Sequence, residues 1–374
     1  MKKENIICTE PTSDCIQLKM RRYKPRGGDI AEFPVILCHG VLSNKHSLDF
    51  GDKHSPKLRG LWKKYSLASY LYEGGKDKDL KFDVWVPELR GKRSFKDFKC
   101  NKYPDTPAKY NWCIDHYIDY DVPVIVNRVM AEYDYSTKVF WVGMSMGGML
   151  AYAYGETQHG FKNLKGVVTI GSPVAFEYNK GWLPEVILIL APRKISNKFN
   201  FKEFLERHPL IKEEMLKNSV NPDNVDKKVI EKFIELGFDN YISSKILNHF
   251  AVFFRHNNFC RYPRYPWIYD FLDRIPLLKK SITPYSYKEN LYKFKTPLLA
   301  IAGGADKEAP PEEVKYAVAH VRSKDVKYCE FSKDSPFTDI DYAHLDFHKG
   351  KRARDEVYTV IHEWLKRKCA EKER

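Results

Sequence analysis

The chain has 374 residues, 43% of them hydrophobic and 14% aromatic, with 24 Tyr and 22 Phe; that much apolar surface can drive a large core and excludes global disorder. Its 63 Lys and Arg outnumber its 49 Asp and Glu for a formal charge of +14, but the basic residues are spread along the chain with no nucleic-acid-binding motif, so they read as a solvated surface with at most peripheral contact to anionic lipid. The amino terminus has cations but only a short apolar run behind them, and no apolar stretch approaches the roughly 20 residues that span a bilayer, so neither a secretory signal nor a transmembrane helix is expected.

Short β-branched and aromatic runs alternate with helical patterns. Strands are predicted at 33–38, 82–86, 138–142, 166–170, 297–301 and 326–331, and helices at 66–72, 122–133, 146–154, 311–321 and 352–367. This alternation is the signature of a mainly parallel sheet with helices on its faces. After about residue 171 the strand rhythm stops and gives way to amphipathic stretches at 201–217 and 226–236, punctuated by Pro192, Pro209 and Pro222. We therefore expect an α/β core in two parts, 1–172 and 293–374, interrupted by a helical cap at 173–292. The aromatic-rich stretch 250–278 within it reads equally well as packing between cap and core or as an apolar wall for an acyl chain. Eight Cys, from Cys8 to Cys369, form no CxxC pair and no short-spaced Cys/His cluster that could make a zinc site. Reduced thiols, a cytoplasmic location and no metal or organic cofactor are the expectation.

The strongest chemical signal is Gly143-Met144-Ser145-Met146-Gly147-Gly148, which directly follows the strand at 138–142 and opens a helical pattern. That is the context of a nucleophile elbow, in which a strand turns so sharply into a helix that the positions flanking the serine need glycine. The turn lifts the Ser145 hydroxyl clear of the sheet and puts the Met146 N–H at a helix amino terminus, where unpaired donors can hold an oxyanion. A second donor should come from the loop after the strand at 33–38, His39-Gly40-Val41-Leu42, and is assigned to the Val41 N–H. A serine nucleophile also needs a base and a carboxylate to orient that base, in the chain order Ser, acid, His. The strand at 297–301 leads to Asp306, and the strand at 326–331 leads to Tyr342-Ala343-His344-Leu345-Asp346-Phe347-His348. Asp306 and His344 fall where acid and base belong. His348 is a rival base, and Asp339, Asp341 and Asp346 are rival acids, although a carboxylate two residues from His344 better suits shaping its loop.

Five ordered motifs carry a family resemblance: His39-Gly-Val-Leu-Ser43; Tyr70-Leu-Tyr-Glu-Gly74 through Val84-Trp-Val-Pro-Glu-Leu-Arg-Gly91; the elbow; Gly303-Gly-Ala-Asp-Lys-Glu-Ala-Pro310; and His344-Leu-Asp-Phe347. In them the chain resembles the α/β-hydrolase superfamily, and within it the acid-lipase branch and the polyhydroxyalkanoate-synthase-like serine hydrolases. The resemblance implies an α/β-hydrolase fold with Ser145, Asp306 and His344 as catalytic triad, Val41 and Met146 as oxyanion donors, and the insertion as a lid. It implies a serine esterase or lipase that acts on a small-molecule or lipid ester through an acyl-enzyme on Ser145. Met144 departs from the His or Tyr common before the serine in these relatives, which bears on substrate choice. Ser145 in place of the synthases' cysteine favours hydrolysis over polymer synthesis. An acyltransferase and a non-catalytic binding protein on the same scaffold are the alternatives.

Overall fold

A computed structural model describes residues 6–91, 110–190, 197–238, 241–272 and 283–371. Its strands, in chain order, are β1 Ile6–Cys8, β2 Lys19–Tyr23, β3 Val35–Cys38, β4 Val84–Pro87, β5 Val139–Met144, β6 Leu164–Ile170, β7 Lys198–Asn200, β8 Tyr241–Ser243, β9 Leu298–Gly303 and β10 Val326–Phe331. Eight of them form one sheet in the order β1-β2-β4-β3-β5-β6-β9-β10. From β4 to β10 every neighbour is parallel, while β2 runs antiparallel to β4 and to β1. β3, β5, β6 and β9 are buried at every residue, because helices cover both faces of a parallel sheet and its strands then read as continuous apolar runs.

Alternation along each strand divides two cores. Ile36, Trp141, Val167 and Leu298 face a layer holding the helices Val122–Met130 and Met146–Gly155. Their neighbours Val35, Phe140, Val168 and Leu299 face the helices Leu67–Glu73 and Val357–Ala370. The architecture is the expected α/β one, and each of the six predicted strands is present within two residues of its predicted ends.

Three features differ from expectation. β1 and β2 are strands beyond the six expected: β1 is only three residues long, and β2 carries no apolar run because it buries Arg21 and Arg22 as ion pairs with Asp49 and Asp83. The last helix begins at Val357, after turns over 351–356. In the basic stretches expected on a solvated face, Lys349 and Lys368 are buried. Lys349 donates to the carbonyls of His46, Ser47 and His348 at 2.9–3.2 Å, with its ammonium over the rings of Phe50 and Phe233.

Between β6 and β9 the chain makes the helices Trp182–Leu190, Phe201–Arg207, Pro209–Ser219, Lys227–Gly237, Ser244–His256 and Pro266–Leu272, with β7 and β8 paired as a small antiparallel ribbon. Pro209 opens a helix instead of breaking one, since the first helical position needs no N–H donor. Val229, Ile230, Phe233 and Ile234 form the buried stripe of Lys227–Gly237. Backbone bridges Ser43 to Phe238 and Val225 to Gly350, and the Leu345 N–H bond to the Ser219 carbonyl, fasten this segment over the carboxyl ends of the strands. Among the described residues, no helix is long and apolar enough to cross a membrane, and Cys15, Cys38, Cys113, Cys329 and Cys369 are free thiols.

Candidate active site

β5 runs into Ser145 and out into the helix Met146–Gly155 with no intervening loop, and Ser145 takes φ 52° and ψ −120°. A non-glycine residue in that region is strained, and such strain persists only where the surroundings over-determine it. Here they do. The Ser145 N–H donates to the Ile170 carbonyl at the end of β6, and its own carbonyl accepts from Gly148 and Met149. A methyl on Gly143 would lie 2.3 Å from the Gly147 backbone, and one on Gly147 2.4 Å from the Cys38 carbonyl. The turn requires both glycines.

The β3 loop approaches the same point. A methyl on Gly40 would stand 3.1 Å from Ser145 Cβ, so a larger residue there would crowd the serine. His39, to which sequence reasoning gives no role of its own, is buried; its Nδ1–H donates to the Gly40 carbonyl at 2.9 Å, and its Nε2 accepts the Leu89 N–H at 3.3 Å. In a trans peptide the N–H points opposite the carbonyl. By holding the Gly40 carbonyl, His39 thus turns the Val41 N–H the other way. The sequence signal for this is the histidine directly before the loop glycine.

Asp306 lies just past β9 and is 3% exposed. Its Oδ1 accepts the Glu308 and Ala309 amides at 2.9 Å each, and its Oδ2 accepts His344 Nδ1–H at 2.8 Å. That bond assigns the Nε2 of His344 as the free lone pair. Burial disfavours the imidazolium, but the Asp306 carboxylate outweighs it and raises the His344 pKa above the ordinary value. A methyl on Gly171 would come within 3.0–3.2 Å of both Asp306 and His344, so the end of β6 packs directly on the pair.

Ser145, His344, Gly40 and Val41 line one cavity together with the apolar side chains of Met149, Phe176, Met215, Phe233, Phe250 and Phe254. The Met146 side chain is buried in the core, and its backbone amide stands at the first position of the helix directly after Ser145. Among the rivals, His348 also lines the cavity, but its Nδ1 has no hydrogen-bond partner among the described residues, and burial holds its pKa well below ordinary. Asp346 accepts the Ala343 and Asn221 amides and shapes the histidine loop. Asp341 accepts the Lys333 amide, and Asp339 pairs at the surface with Arg352.

A family described as alpha/beta hydrolase fold matches residues 34–350. The chain is similar to Triacylglycerol lipase 2 of Arabidopsis thaliana, at 24% identity over 387 residues covering 96% of this chain and 84% of the relative. Among solved structures it is similar to a thermophilic esterase from Thermogutta terrifontis, at TM-score 0.53 and 16% identity over 98% of this chain and 99% of the other. It is likewise similar to a monoacylglycerol lipase of Paleococcus ferrophilus, at TM-score 0.50 and 16% identity over 94% and 99%. At such identities the structural likeness concerns the fold.

Proposed function

Because this chain belongs to the α/β-hydrolase fold family, we propose that it is a carboxylic ester hydrolase of the esterase or lipase type working through an acyl-enzyme on Ser145. His344 Nε2 takes the Ser145 proton as the hydroxyl attacks the ester carbonyl, and Asp306 fixes the imidazole tautomer and stabilises the imidazolium. The Val41 and Met146 amides hold the oxyanion. His344 then protonates the leaving alcohol, and water activated by the same imidazole releases the acid. The observation that carries the reading is the 2.8 Å bond from His344 to a fully engaged, buried Asp306, in the cavity where Ser145 sits on its strained turn.

The segment 173–292 acts as the lid of the two-part core, and its Met and Phe wall takes the acyl chain. Ile189, Leu210, Trp267 and Phe271, each more than half exposed, give that lid apolar side chains with which to touch a lipid surface. The free thiols suit a reducing compartment such as the cytoplasm. The test is labelling with a fluorophosphonate probe together with hydrolysis of p-nitrophenyl esters from short to long chains. Turnover with labelling that maps to Ser145 is expected. A protein that neither labels nor turns over any ester would sink the reading, and transfer products that outcompete hydrolysis at low added alcohol would make it an acyltransferase.

A further inference from the structure

Glu308 belongs to no part of that mechanism, yet it lines the same cavity as Ser145 and His344. It follows Asp306 by two residues, and its own N–H is one of the donors that hold Asp306. The side chain is buried at 7% exposure, and a methyl added to Gly181 would meet its carboxyl at 2.3–2.4 Å. Packing on that backbone fixes its place.

Neither carboxyl oxygen has a partner of full hydrogen-bond geometry among the described residues, the Trp182 and Leu183 amides being the donors that approach the carboxyl. Burial outweighs the His344 charge and the Trp182 and Leu183 amides, which favour the ionised form, and with the Asp306 charge pushes the pKa up to about 8. At neutral pH the group is therefore mostly a neutral acid, able both to donate and to accept. A buried polar group left unmatched is costly and uncommon, and one beside reacting groups points to a ligand atom that completes it.

The place of that ligand follows from His344, which lines the same cavity and bonds the Asp306 carboxylate that also holds the Glu308 amide. In the proposed reaction the imidazole hands its proton to the leaving oxygen, so the alcohol half of the ester lies on the imidazole side. Resting on the ester-hydrolase reading, we propose that the Glu308 carboxyl is a subsite for a free hydroxyl on the alcohol half of the substrate, so that the protein takes esters of polyols in preference to esters of simple alkanols.

The test is a ladder of butyrate esters of glycerol, propane-1,2-diol and propanol, which keep the acyl chain constant while removing one hydroxyl at a time. Wild-type kcat/KM is expected to fall along the ladder by roughly tenfold or more overall, as a site built to bond a hydroxyl discriminates against the analogue without it. Glu308→Leu should bring the glycerol-to-propyl ratio to about one, chiefly through KM, whereas Glu308→Gln, which keeps the shape and two hydrogen-bonding atoms, should retain most of it. A flat wild-type ladder, or a ratio that survives in Glu308→Leu, overturns the subsite. Should Glu308→Leu not fold, the wild-type ladder and the Gln variant decide. Fluorophosphonate labelling of the same samples separates the two failures: a labelled Ser145 with a flat ladder removes the subsite alone, and an unlabelled protein inert to every ester removes the hydrolase reading with it.

Discussion

Around Ser145 the backbone has no slack: methyl groups on Gly143 or Gly147 would fall 2.3–2.4 Å from neighbouring main chain, and both oxygens of Asp306 are already taken. The described segment between β6 and β9 presents more apolar surface, with Ile189, Leu210, Trp267 and Phe271 in solvent, and its strand pairing there is the short β7–β8 ribbon and isolated bridges. The first region tolerates almost no change in geometry. The second can exchange side chains while keeping its helices. On our reading the chemistry is therefore written in the sheet edge and the choice of acyl chain in the helical segment, and the two should separate experimentally.

The sharpest break in that contrast is Ser145→Ala, which should lower kcat by about 10⁵–10⁶-fold with the melting temperature nearly unchanged. Residual turnover within a hundredfold of wild type would refute the nucleophile. Next comes Asp306→Asn, expected to cost about 10⁴-fold in kcat. It should also move the pH profile. His344 acts as base only when neutral and Asp306 raises its pKa, so the wild type should lose activity on acidification at a pH above the usual imidazole value, and the Asn variant at a lower one. An unmoved acid limb would mean that another group titrates.

His39→Leu releases the Gly40 carbonyl and with it the aim of the Val41 amide; a fall of about 10²–10³-fold in kcat with little change in KM is expected, the scale of losing one oxyanion donor. In the other region, Phe254→Ala should alter only the balance between long and short p-nitrophenyl esters, by about tenfold, leaving fluorophosphonate labelling as fast as in the wild type. Slower labelling would show that the wall and the chemistry are coupled. The smallest effect is on stability. With the Glu308 pKa raised from an ordinary 4.5 to about 8, the folded state holds that proton more tightly than the unfolded chain. The resulting stability is complete below pH 4.5 and lost as pH rises through 8. Glu308→Gln should accordingly lose less melting temperature than wild type between pH 5 and pH 9, by a few degrees; equal losses would mean that Glu308 is not the group.

The legible parts of the molecule were those where local chemistry and tertiary packing agree. The central strands read correctly because both faces are buried, and the elbow because its glycines are demanded within six residues. β2 escaped because its Lys19-Met-Arg-Arg-Tyr23 looks like surface until Arg21 and Arg22 meet Asp49 and Asp83 from distant loops. The buried Lys349 escaped for the same reason, its ligands being carbonyls from residues 46 and 47. Glu308 was hidden in another way: its sequence neighbours Asp306 and Ala309 draw attention to the turn, while the cavity that makes the carboxyl unusual is completed by residues of the distant helical segment. Long-range partners of charged residues leave no periodic trace.

The contacts that pin residues 219–225 to the histidine loop have a consequence for chain entropy. The Ser219 carbonyl holds the Leu345 amide, the Asn221 amide bonds Asp346, and Val225 bridges Gly350. The excursion between β6 and β9 is thus tied down near its middle as well as at its ends and behaves as two shorter loops, each cheaper to close than one long one. On our reading a lid that opens above the cavity swings about this knot, because untying it would let go of the residue next to the proposed base.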